Sequence, residues 1–176
     1  SCGRGYSGGV EINSPIIRTV NQLRQLIKVC ALVRRLGFKT NSKCGLHVHV
    51  GVENLTPAQR DRFIRFFIRW ENAFYALDPE RKNSQYCRPL ESDLVRKLAS
   101  GEGWGAWNCR YRWMNGCAFR EHGTCEFRLM EGTLDEEHVL GWVSFLLYVY
   151  DNIVNGPLDG LYEKEVGEPY AVFSSM

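Results

Sequence analysis

Two of the chain's four histidines stand two apart in CGLHVHVG, residues 44–51, among small and branched apolar side chains. A neutral imidazole ligates divalent cations, and a protonated one attracts phosphate. Two further stretches carry chemistry of the same kind. TCEFRLM, residues 124–130, sets Glu126 and Arg128 between Cys125, Phe127 and Leu129, and GVEIN, residues 9–13, sets Glu11 between Val10 and Ile12. Carboxylate oxygens and a neutral imidazole form a workable ligand set for a divalent cation. A guanidinium beside them offers a planar fork for phosphate or carboxylate.

Strand alternation would gather these groups. Successive side chains on a strand point to opposite faces. Leu46, Val48 and Val50 would then share one face, with His47 and His49 on the other beside Gly45 and Gly51. Cys125, Phe127 and Leu129 would oppose Glu126 and Arg128, and Val10 and Ile12 would oppose Glu11 and Asn13. In one sheet the polar side would hold Glu11, His47, His49, Glu126 and Arg128, and the two glycines would leave space for a ligand. The competing reading is that each strand shows a wet face to solvent, as antiparallel strands often do. A solvated face more often carries Lys, Thr and Ser, but alternation alone leaves both readings open.

The elements around these strands are marked clearly. Val20, Leu23, Leu26, Ile27, Cys30 and Val33 recur at helical spacing over 19–36, and Gly37 is a natural stop. Thr56, Pro57 and Gln59 make a capping box with proline at the first helical position. That start predicts a helix running to Asp78-Pro79, with Phe63, Phe66, Phe67, Trp70 and Phe74 as a core stripe. Ser92 is positioned to cap a short helix through Leu98. CAFREHGTCEFRLMEG, residues 117–132, reads as a β-hairpin turning at Glu121-His122-Gly123, which puts His122 on the surface. DEEHVLGWVSFLLYVYDNIV, residues 135–154, reads as a helix whose acidic first turn suits the macrodipole, with His138 exposed there. GVEIN reads as a short strand, residues 1–9 and the tail from Asn155 read as loops, and residues 101–116 as a flexible loop entering a strand.

Composition narrows the class. At 176 residues and 44% hydrophobic, the chain is long enough for one domain with its own core. A net charge of +2 is too balanced to imply nucleic acid as a partner. No apolar run of about 18 residues occurs, so no membrane span is expected. Seven cysteines with no CxxC pair predict free thiols and a reduced, cytoplasmic protein.

GVEINSPII, CGLHVHVG, NSQYCRPL, MNGCAF and HGTCEFRLMEGTLDEEHV occur in that order. This ordered set closely resembles the amidoligase family of the carboxylate–amine ligase superfamily, related to glutamine synthetase and glutamate–cysteine ligase. The resemblance implies an α+β fold of the glutamine synthetase kind: a curved antiparallel sheet with helices packed on one face. It also implies ATP and Mg2+, or Mn2+, bound on the other face. Relatives phosphorylate a carboxylate with ATP, and an amine then displaces phosphate to give an amide or isopeptide bond. The resemblance assigns Glu11, His47 and Glu126 as metal ligands, with His49, Arg88 and Arg128 at the nucleotide. Arg128 would also act in catalysis as a phosphate clamp. Tyr86 and Asn115 would contact nucleotide or substrate. The implied partners are a carboxylate and an amine, small molecule or peptide. Relatives carry an ExE pair of glutamates on a strand well before the EINSP element. No such pair precedes it here, so the expectation for residues 1–176 is one amidoligase-like domain lacking the family's first strand or strands.

Two other classes compete. A non-catalytic member of the fold would bind only nucleotide or a protein partner. A metal-dependent hydrolase would also use HxH on a strand, but the barrel that does so needs about 250 residues and repeated βα units.

Overall fold

The computed structural model describes residues 10–100 and 103–155. The expected loops at 1–9, at 101–102 and beyond 155 lie outside the described residues. Chain order is α1 (Val20–Arg35), β1 (Val48–Gly51), α2 (Pro57–Arg69), α3 (Glu71–Leu77), α4 (Ser92–Ala99), β2 (Met114–Asn115), α5 (Ala118–His122), β3 (Thr124–Phe127) and α6 (Glu136–Asn155), with 3-10 turns at Pro79–Asn83 and Gly103–Ala106. The architecture is mixed α and β, built on a small antiparallel sheet of order β1-β3-β2.

Capping chemistry sets the first two helices. Thr19 and Gln22 form a reciprocal capping box at α1, as Thr56 and Gln59 do at α2 with Pro57 just inside. The predicted single helix from Thr56 to Asp78 is broken at Trp70, whose backbone leaves the helical region and both ends α2 and starts α3. At α4 the cap is Glu91, and Ser92 is already the first helical residue.

The register places Val48 opposite Phe127 and Val50 opposite Cys125, so these four share the apolar face. Helices α2, α3 and α6 bury that face: Phe67 packs on Phe127 with ring centroids 4.7 Å apart, and Phe74 on Trp113 at 5.1 Å. From α6, Val139, Trp142, Leu146, Val149 and Ile153 enter the core at alternating steps of three and four, the spacing of one helical face. Phe63, Phe67, Trp113 and Phe127 are fully buried. Of the expected aromatic stripe, Phe63, Phe67 and Phe74 are buried, and Phe66 and Trp70 pack half-buried against them.

Two expected strands differ. Residues 10–13 form no strand, and Val10 and Ile12 are exposed. Two apolar side chains are too few to anchor a strand without a hydrogen-bonded neighbour. The expected hairpin over 117–132 does not form: its first arm is helical, and β3 pairs antiparallel with the preceding Met114–Asn115 instead, Met114 opposite Phe127 and Asn115 opposite Glu126. That helical arm is α5, ended by Gly123 in the left-handed region at φ 65°. An Ala-Phe-Arg-Glu-His run followed by glycine suits a helix with a glycine stop at least as well as a strand.

Candidate active site

The polar face of the sheet carries one row across all three strands. His49 on β1 and Asn115 on β2 both stand opposite Glu126 on the central strand β3. Glu126 on the central strand β3 and Arg128 just beyond it are both buried. A buried carboxylate needs partners for both oxygens, and it has them. Asn115 Nδ2 donates to Oε2 at 2.6 Å, and Arg128 Nη1 donates to Oε1 at 2.7 Å. His47 Nδ1 approaches the same Oε1 at 3.2 Å, and His49 Nε2 stands 3.8 Å from it.

Both histidines lie at the open side of this row. Burial, with the Arg128 charge, pushes the His47 pKa down against the opposing pull of Glu126. Burial also lowers that of His49, where Glu126 opposes and His122 and Arg128 assist. The neutral imidazole is thus the favoured form, so their approaches to Glu126 are polar contacts rather than ion pairs. His49 Nδ1 is fixed by Thr124 Oγ1 at 2.9 Å, across the Gly51–Thr124 register pair.

Arg128 is held from two directions. Its Nε donates to the carbonyl of Tyr86 at 3.1 Å while Nη1 holds Glu126. The backbone just behind it is clamped by Arg81, which donates through Nε to Leu129 O at 2.8 Å and through Nη2 to Arg128 O at 2.9 Å. Arg81 is itself buried and adds to the positive field at His47. Sequence reasoning missed Arg81 and Thr124. Nothing in Asp-Pro-Glu-Arg-Lys marks one of its charges as buried, since a turn of this kind is normally solvated.

Each expected site residue has a definite place. His47, His49, Glu126 and Arg128 come together, and Asn115 joins them more closely than expected. Glu11 is exposed and outside the sheet, correcting its expected strand position, although its charge still acts on His47. Tyr86 reaches the site through its carbonyl, and its ring is exposed. Arg88 is exposed on the same segment. Of the two flanking glycines, Gly51 alone has open space beside it. A Cβ on Gly51 would meet nothing within 4 Å, whereas on Gly45 it would lie 2.8 Å from His47 Nε2 and 3.3 Å from Arg81 Nη2. Gly45 makes room for the histidine and the buried arginine.

Among the described residues, no three His, Cys, Asp or Glu side chains converge as a group able to hold a metal ion. Magnesium seldom needs such a cage: it keeps several waters and takes one or two carboxylates together with substrate phosphates. Glu126 and a neutral His47 supply one carboxylate and one imidazole, a donor set that fits that incomplete kind of site.

Comparison with known families adds one match. The model of a family described as "Putative amidoligase enzyme" matches residues 4–103. That span includes Glu11, His47, His49, Tyr86 and Arg88 and ends before Asn115, Glu126 and Arg128. No curated protein and no solved structure gives a match.

Proposed function

The chain belongs to the amidoligase family, and from that premise we propose that it is an ATP-dependent carboxylate–amine ligase working through an acyl phosphate. The observation that carries this reading is the buried Glu126–Arg128 pair, joined by Asn115 and opening onto His47 and His49. In this reading the sheet is a small version of the glutamine synthetase arrangement, with helices behind and nucleotide in front.

The residues divide the work by chemistry. Arg128, fixed by Glu126 and the Tyr86 carbonyl, presents a preorganised positive charge to the transferred phosphoryl group. His49, held by Thr124, faces the phosphates as a neutral donor. Glu126, His47 and Glu11 would hold Mg2+ or Mn2+, which neutralises the repulsion between a carboxylate and a triphosphate and polarises the phosphoryl group. Asn115 keeps the second Glu126 oxygen occupied, so the carboxylate does not rotate away. No protein nucleophile is required, because the acid itself attacks ATP and the amine then displaces phosphate. The described cysteines are all free thiols, which suits a reducing, cytoplasmic setting.

A trapping experiment tests the reaction type. Incubation with ATP, Mg2+, hydroxylamine and a panel of carboxylates should yield ADP and the matching hydroxamate. AMP with pyrophosphate, or amide cleavage without ATP, would overturn the acyl-phosphate reading.

A further inference from the structure

Beside the Glu126–Arg128 pair lies a basic and aromatic surface that the reaction chemistry leaves unused. Residues 86–88 and 111–113 run parallel. Arg88 N–H donates to Tyr111 O, Trp113 N–H donates to Arg88 O, both at 3.0 Å, and Arg88 pairs with Arg112. This pairing sets the rings of Tyr86 and Tyr111 edge to face, with centroids 5.8 Å apart. Both rings remain open, 45% and 42% exposed. The guanidinium of Arg110 lies over the Tyr111 ring at 5.8 Å, and Arg88 is exposed. The carbonyl of Tyr86 is the group that holds Arg128 Nε, so the surface adjoins the proposed phosphoryl clamp.

The two paired segments are basic, and the acidic groups that reach them are already engaged, Glu71 by the Leu90 and Trp113 N–H groups and Glu91 by Arg112. Residues 82–90 and 103–115 contain Lys82, Arg88, Arg110 and Arg112 but no Asp or Glu. Arg112 is buried and already answered by Glu91 and the Pro89 carbonyl. Arg88 and Arg110 are the exposed arginines that remain. A guanidinium fork is shaped for a carboxylate. Tyrosine and arginine together are also the side chains that dominate macromolecular recognition surfaces. A small acid is normally engulfed in a concave pocket, whereas two half-open rings flanked by arginines offer an extended shelf.

We infer that Tyr86, Arg88, Arg110 and Tyr111 form a docking shelf for an acidic peptide, which carries the carboxylate to be activated past Arg128. This inference rests on the ligase reading and supplies its acid substrate class. It assigns Arg88 to the peptide instead of the nucleotide.

The test uses the intact chain with fluorescein-labelled (Glu-Gly)3 and (Gln-Gly)3 peptides by anisotropy, and Mg-ATP by calorimetry in parallel. The glutamate peptide should bind roughly tenfold or more tightly than the glutamine one. Arg110→Gln with Tyr111→Ala should remove that preference, with Mg-ATP affinity and the circular dichroism of the fold unchanged. Equal binding of the two peptides overturns the shelf. Arg88→Gln that weakens Mg-ATP and spares the peptide overturns it as well. Acidic-peptide binding in a chain that does not bind Mg-ATP overturns the ligase reading and keeps the shelf.

Discussion

Arg128 and Glu126 stand two residues apart on one face of the central strand, their side chains 6% and 7% exposed and joined at 2.7 Å. In a protein interior such a pair is tolerated only while both members are present. Desolvation has already raised the energy of each charge, and removing one strands the other.

Glu126→Ala should therefore destabilise the fold by about 3–5 kcal/mol, because Arg128 keeps its charge and loses its carboxylate. Arg128→Met should cost less, since Asn115 and His47 still face Glu126. The double replacement Glu126→Leu with Arg128→Met should be milder than the sum of the two single changes. Urea unfolding of the three variants checks this. Strict additivity would show that the two side chains do not act as a pair.

The two glycines beside the histidines should part company. Gly51→Ala, whose Cβ would meet nothing within 4 Å, should leave stability and the His47 ring unchanged. Gly45→Ala puts a Cβ where His47 Nε2 stands. It should move the His47 ring, read as a shift of its imidazole NMR signals, and weaken Mg-ATP binding. Identical imidazole spectra for wild type and Gly45→Ala would refute this.

Arg81 should matter although it touches no ligand in this account. Arg81→Met removes two charge-assisted donors and leaves the carbonyls of Arg128 and Leu129 without them. The expected stability loss is about 1–3 kcal/mol for each buried carbonyl left unsatisfied. Arg81→Lys should recover part of it, since an ammonium lacks the planar fork. Thermal unfolding of the pair decides, and equal melting temperatures for the Met and Lys variants would argue against a bidentate clamp.

In the core, Phe67→Ala should cost about 3–5 kcal/mol by chemical denaturation. Phe67 is fully buried and packs on Phe63, Phe74, Trp113 and Phe127.

What the sequence disclosed follows from where the information is local. The cap at Thr56, the Gly37 stop and the alternation around His47 and Glu126 depend on a few neighbouring residues, and the structure bears them out. Trp70 was invisible as a break because its aromatic spacing fits one continuous helix. Glu11 has the same two-faced pattern as Glu126, but a strand also needs a partner, and pairing is not written in the strand itself. Arg81 and Asn115 gain their roles from contacts 47 and 11 residues away in the chain, and such burial has no signature in a turn or in a two-residue strand.

The central claim is that Glu126, Arg128 and the two histidines form a nucleotide site. Calorimetric titration of Mg-ATP into the intact chain and into a folded Glu126→Gln variant tests it most directly. The account predicts magnesium-dependent binding by the unmodified chain that falls by roughly tenfold or more in the variant. Equal affinity in the two proteins, or binding indifferent to magnesium, would contradict it.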